Sequence, residues 1–175
     1  DANPEGSDGA SPAGDDGGAP LAPGTQRLAV GYAHSYAVTG AGAVKCWGDN
    51  YVGQLGDGTK ADSASPVAVT GLGGGIVSVV AGGQYSCALT SLGAVKCWGL
   101  NRGGQLGDGT DVDRAAPVDV AGLSSGVSQI VAGWAHACAL TRLGAVKCWG
   151  ENYDGELGDG TSMGRPRPVD VPGLG

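Results

Sequence analysis

Residues 44–59 read "VKCWGDNYVGQLGDGT", and the same words return at 95–110 as "VKCWGLNRGGQLGDGT" and at 146–161 as "VKCWGENYDGELGDGT". The starts at 44, 95 and 146 are 51 residues apart both times, so no residue has been gained or lost between copies. Self-similarity at a fixed period of this length marks one supersecondary unit stacked along the chain. What that unit is follows from the residues on either side of it.

Each copy contains four short extended runs. "PVAV" (66–69), "PVDV" (117–120) and "PVDV" (168–171) form one set, and "LAVG" (28–31), "VVAG" (79–82) and "IVAG" (130–133) a second. The third set is "SYAVT" (35–39), "SCALT" (86–90) and "ACALT" (137–141), and the fourth is "AVKCWG" from 43, 94 and 145. Short β-branched runs between Gly, Asp and Asn clusters predict strands with tight turns. The 36 glycines leave no capped, periodic segment long enough for a helix. The expectation is an all-β chain of three four-stranded blades of the propeller type, with a 51-residue period.

The segment "AGWAHACALTRLGAVKCWGENYDGELGDGT" (132–161) resembles the regulator of chromosome condensation repeat. That repeat has a Gly-x-x-His-Ser-x-Ala-Leu-Thr strand followed by Trp-Gly-x-Asn-x-x-Gly-Gln-Leu-Gly. The likeness covers 28–175, with Tyr85 in place of the His at 34 and 136 and Glu156 in place of the Gln at 54 and 105. It implies a β-propeller, in which seven blades are usual. The best-known member of the family exchanges nucleotide on a small GTPase and binds chromatin. Those activities rest on particular loops and a basic tail, and neither is carried over to this chain of uniform loops and acidic tail.

The chain has no Phe, so Trp47, Trp98 and Trp149 are its largest repeated apolar groups and are expected to pack between blades. Asn50, Asn101 and Asn152 are expected to tie the loop that follows each of them. With the "PV-x-V" run taken as the first strand of each unit, the repeats divide as 27–65, 66–116 and 117–167. Pro168, Val169, Asp170 and Val171 are then left over as a C-terminal clasp strand, and the blades are permuted by one strand. Such a strand would complete the first blade of a second subunit, head to tail, giving a ring or a filament. The alternative is a fragment of a longer propeller.

Cys87 and Cys97 sit symmetrically about Leu92 across a hairpin, and Cys138 and Cys148 about Leu143. Two cross-strand disulfides are expected, with Cys46 unpaired because Tyr36 holds the partner position. Reduced buried thiols are the rival reading. Ten-residue spacings without a Cys-x-x-Cys pair do not resemble a zinc site. No metal or other cofactor is expected.

Residues 1–26 hold Asp1, Glu5, Asp8, Asp15 and Asp16 and only one large aliphatic residue, Leu21. Such a stretch reads as a disordered acidic tether. It carries −5 of the net −7, so the repeats are close to neutral. That balance argues against nucleic acid as a partner, and no apolar run is long enough for a membrane span. The tail resembles the segment after the lipidated cysteine of bacterial surface lipoproteins, and with the disulfides it implies an exported protein at the cell surface or outside it.

His34 and His136 are the only histidines and occupy equivalent positions, which predicts a structural role and no catalytic constellation. The "DGT" acids Asp57, Asp108 and Asp159 lack the ligand spacing of an EF-hand and read as turn residues. The chain is therefore expected to be no enzyme. It is expected to be a self-assembling structural repeat protein, or else a module that binds a protein or glycan through one propeller face. Tyr51 and Tyr153, in equivalent loops, are the candidate contact residues.

Overall fold

A computed structural model describes residues 27–174, and the acidic stretch 1–26 lies outside the described residues. Twelve strands form three antiparallel four-stranded sheets, and there is no helix among the described residues. The first blade is β1 (Leu28–Val30), β2 (His34–Val38), β3 (Val44–Gly48) and β4 (Ser63–Ala68). The second is β5 (Ile76–Ala81), β6 (Tyr85–Thr90), β7 (Val95–Gly99) and β8 (Arg114–Asp119). The third is β9 (Val127–Ala132), β10 (His136–Thr141), β11 (Val146–Gly150) and β12 (Arg165–Asp170). Alternation explains the central strands: Val44 and Cys46 point into the core while Lys45 between them is half-exposed. Gly42, Gly93 and Gly144 close the β2–β3, β6–β7 and β10–β11 hairpins at φ of 75°, 85° and 91°, which favours glycine.

Within each sheet the strands follow chain order, and this corrects the one-strand permutation. The "PV-x-V" run is the fourth strand of its own copy: Cys46 pairs with Val67, Cys97 with Val118 and Cys148 with Val169. Residues 168–171 are thus not a free clasp, because Pro168–Asp170 belong to β12 on β11 and Val171 N–H donates to the Val146 carbonyl. Asp170 also pairs with Lys147 at 2.6 Å. The boundaries at 65/66 and 116/117 cut through β4 and β8, and 167/168 through β12. The physical reason is the 14-residue loop from 49 to 62, which folds the chain back beside the strand it has just left.

The first strands of the three blades contact one another, so they line the inner side of the array. Two apolar cores lie between the blades. Tyr36, Val38, Val44, Cys46 and Leu55 of the first blade meet Val79, Ala88 and Trp98 of the second. Tyr85, Cys87, Leu89, Val95 and Leu106 of the second meet Ile130, Ala137, Ala139 and Trp149 of the third. Trp98 and Trp149 therefore each face the blade before their own. Trp98 and Trp149 are fully buried, whereas Trp47, at the same register position, is half-buried because no described blade precedes it.

The glycines after each Leu make room for these indoles. A Cβ at Gly56 would lie 2.6 Å from Trp98 Nε1, and one at Gly107 would lie 2.8 Å from Trp149 Cδ1. Trp98 Nε1 donates to the Gln54 carbonyl at 2.9 Å, and Trp149 Nε1 makes the same bond to Gln105. Cys87 is bonded to Cys97 and Cys138 to Cys148, with Cα atoms 4.1 Å apart in each pair. Cys46 is a buried thiol that donates to the Leu55 carbonyl, and burial pushes its pKa up to about 12. A group so held is an inert packing atom rather than a nucleophile.

Tyr36, which stands where the other blades have a half-cystine, is the hub of the first junction. Its hydroxyl donates to the Gln54 carbonyl and accepts from Trp98 Nε1 at 3.0 Å and Ser86 Oγ at 2.9 Å. Ser86 Oγ in turn lies 3.0 Å from His34 Nε2. Burial lowers the His34 pKa to about 4, against the opposing pull of the Asp49 carboxylate. The folded state therefore holds a neutral ring. Stability should fall as pH drops below the unfolded value of 6.5 and level off below about 4. The full loss is about 3 kcal/mol. Urea midpoints at pH 7 and pH 4.5 should show it for the wild type. H34Y, which copies Tyr85 of the second blade, should show it less by about that amount.

Candidate functional site

The start of β2 pairs with the end of β3 (His34 with Gly48), and the other blades repeat this register. The β1–β2 turns at 31–33, 82–84 and 133–135 and the long loops at 49–62, 100–113 and 151–164 therefore emerge on one end of the array. That loop face carries the varied side chains.

One buried amide builds each long loop. Asn50 Nδ2 donates to the carbonyls of Thr59 (3.2 Å) and Ala61 (3.0 Å), and its Oδ1 accepts from Leu55 N–H at 2.9 Å. Asn101 and Asn152 make the corresponding bonds in their own loops. Gln54 and Gln105 brace the tips by accepting from Val52 and Gly103 N–H, and the Glu156 carboxylate accepts from Asp154 N–H. The "DGT" carboxylates are engaged within the loops. Thr161 and then Arg165 hold Asp159 down to about 2. At Asp108, burial raises the pKa, but hydrogen bonds from Thr110 and Arg114 outweigh it and leave the group below its usual range. These acids fix loop shape.

Closer to the inner side, the β1–β2 turns are joined across the blades. Tyr32 N–H donates to the Gly83 carbonyl at 3.2 Å, and Gly83 N–H donates to the Trp134 carbonyl at 2.9 Å. On this backbone stand Tyr32 and Trp134, 73% and 66% exposed, with ring centroids 5.4 Å apart at 74°. Gly83 holds the equivalent position between them, and a Cβ there would lie 3.1 Å from the Trp134 ring. The absent side chain lets aromatics from the first and third blades meet above the second. They border a hollow of about 370 Å³ whose walls include Val30, Ala81 and Ala132.

Tyr51 and Tyr153, the aromatics singled out by sequence, are both exposed in the long loops of the first and third blades. Tyr153 lines a second hollow of about 280 Å³ with Arg102, Asp111, Glu151 and Pro166. The Tyr32–Trp134 pair did not emerge from sequence because its members are two repeats apart. The available signal was the choice of Tyr, Gly and Trp at one position of a nearly constant unit. Exposed, rigidly mounted aromatic rings with a polar edge suit the stacking of side chains or sugars.

Known proteins share both sequence and shape. The chain is 35% identical over 149 residues to the ultraviolet-B receptor UVR8 of Arabidopsis thaliana, covering 84% of this chain and 34% of the receptor. It is 39% identical over 140 residues to the human E3 ubiquitin-protein ligase HERC2, covering 79% of this chain and 3% of the ligase. It thus spans about a third or less of these relatives. Among solved structures, human WBSCR16 superposes with a TM-score of 0.73 at 28% identity, over 84% of this chain and 39% of that one. Prp20p of Saccharomyces cerevisiae gives 0.74 at 20% identity, over 85% and 38%, and shows the fold alone. These proteins are eukaryotic, so the likeness to bacterial surface proteins rests on the acidic tail only. The regulator of chromosome condensation (RCC1) repeat matches residues 41–89 and 93–140, and a second form of it matches 26–54, 76–105 and 127–156. On these matches, the chain belongs to the regulator of chromosome condensation (RCC1) repeat family.

Proposed function

We propose that this protein is a non-enzymatic protein-binding module that engages its partner through the loop face. The observation that carries this reading is the Tyr32–Trp134 pair, two large exposed rings fixed by bonds between three turns. Preorganised aromatics lose little entropy on binding and are favoured as contact centres. The structure of Prp20p is described together with that protein's binding to Gsp1p and histones, so this architecture serves protein docking in at least one relative of shape. The near-neutral repeats favour a partner recognised by stacking and main-chain bonds over one recognised by charge. Glycan is the second reading, because sugars also stack on exposed Tyr and Trp.

The two disulfides support an oxidising compartment, hence an exported protein. No helix among the described residues is long and apolar enough to cross a membrane.

Panning a random peptide library on the disulfide-intact protein should enrich binders. The double variant Y32A/W134A should lose them by at least about tenfold, with an unchanged melting temperature. Equal enrichment on the variant would remove the pair from the binding surface. Retention of an immobilised glycan, with no peptide enriched, would favour the second reading.

A further inference from the structure

The repeats are near neutral only as a sum. The long loops 49–62, 100–113 and 151–164 carry formal charges of −2, −2 and −4, so the loop face holds −8. The remainder of 27–175 carries +6. Arg114 and Arg165, at the feet of their loops, pair with Asp108 and Asp159 and cancel two of the loop acids. No other cation pairs with a loop acid among the described residues, so the face keeps an excess of six negative charges. It stands at the strand ends, where blades stacked on either flank would lengthen it and leave it open.

Two of these acids adjoin the exposed aromatic pair. Asp49 N–H donates to the Ala33 carbonyl and Glu151 N–H to the Ala135 carbonyl, both at 2.9 Å. Each bond fastens a part-exposed acid to the turn that bears Tyr32 or Trp134. The second blade makes the same bond from Leu100 to Gln84, but Gly83 and Leu100 hold the two places, so ring and acid are both missing. Ring and carboxylate thus occur together or not at all. The hollow that the rings border has uncharged walls in Val30, Ala81 and Ala132.

We propose that this hollow takes an arginine side chain from a basic segment of the partner protein. The inference rests on the protein-binding reading above and names the chemistry of what binds. The alkyl stem of an arginine covers apolar walls while its head stays polar. Its flat guanidinium stacks on Tyr and Trp rings better than an ammonium does. The same head forks onto carboxylates, which Asp49 and Glu151 supply from the adjoining loops. Stacking remains the main source of affinity. The acids around it select a cationic partner and speed its arrival, which is what charge complementarity chiefly contributes.

Fluorescence anisotropy on the disulfide-intact full chain tests this with three labelled peptides, GSRGSRGSR, GSKGSKGSK and GSEGSEGSE. At about 20 mM salt the Arg peptide should bind at least about tenfold tighter than the Glu peptide, with the Lys peptide between them. Raising the salt to about 200 mM should narrow that gap. Y32A/W134A should weaken the Arg peptide by at least about tenfold and D49N/E151Q by about fivefold, the latter without touching a ring. The acidic stretch 1–26 is common to every variant, so differences among them report the face alone. Circular dichroism checks that the variants are folded, and D49N/E151Q, which keeps the side-chain shapes, decides if the aromatic variant is not. Arg-peptide binding that both double variants leave unchanged would overturn the proposal, as would no binding of any of the three. Equal affinity for all three would overturn it too. If Y32A/W134A abolishes that equal binding, or if library panning still enriches peptides without a basic residue, the loop face remains the binding surface and only its arginine is lost.

Discussion

W98A is expected to destabilise the protein by about 3–5 kcal/mol, the upper range for removing a buried aromatic side chain. The indole is fully buried at the first junction. Its removal leaves a cavity between two sheets and strips the Gln54 carbonyl and the Tyr36 hydroxyl of their Nε1 donor. Native stabilities lie near 5–15 kcal/mol, so this one change takes a large share. Urea unfolding followed by circular dichroism measures it. W98F separates the causes, since it keeps most of the bulk and loses the donor, and should cost about 1–3 kcal/mol. A loss below about 1 kcal/mol for W98A would mean that the blades are held by something other than the indole.

Reducing both disulfides should lower the melting temperature by on the order of 10–20 °C. Each bridge spans a separation of ten residues, and freeing a loop of that size releases about 3 kcal/mol of unfolded-state entropy. Cys87 and Cys97 are sealed between the second and third blades, whereas Cys138 is half-buried on the outer flank. The third-blade bridge should therefore open first as reductant is added. Scanning calorimetry with graded reductant, and thiol trapping at each step, checks both the size and the order. An unchanged melting temperature would show that the cross-links contribute nothing beyond the β-ladders they span. The first blade serves as an internal control, since its Tyr36–Cys46 pair has no bond to lose.

The strands were legible because their alternation and bounding glycines are local. "AVKCWG" predicts an extended run from its own letters, and the cysteines flanking "ALTSLGAVK" predict a pair once the hairpin is assumed. The partner of each strand was not legible. The strand that holds the "PV-x-V" run is split from its neighbour by 14 residues, and side-chain bonds from Asn50 to positions beyond the loop tip bring it back. Those bonds cannot be counted from spacing. The role of Tyr36 was hidden for a related reason: its hydroxyl partners come from residues 54, 86 and 98. Trp47 shows the same limit, having the same letters around it as Trp98 but no preceding blade among the described residues. The Tyr32–Trp134 pair joins residues 102 positions apart, beyond the reach of any motif.

Strands that follow chain order in every sheet have a consequence for how such an array changes length. A unit bounded at any matched pair of positions, 44 and 95 or 67 and 118, contains one complete set of four strands in phase. Recombination between misaligned copies would therefore add or remove a whole blade and leave every ladder paired. The near-identical segments that favour such misalignment also place the exchange point inside matching structure. Copy number in this architecture can drift without passing through a broken sheet.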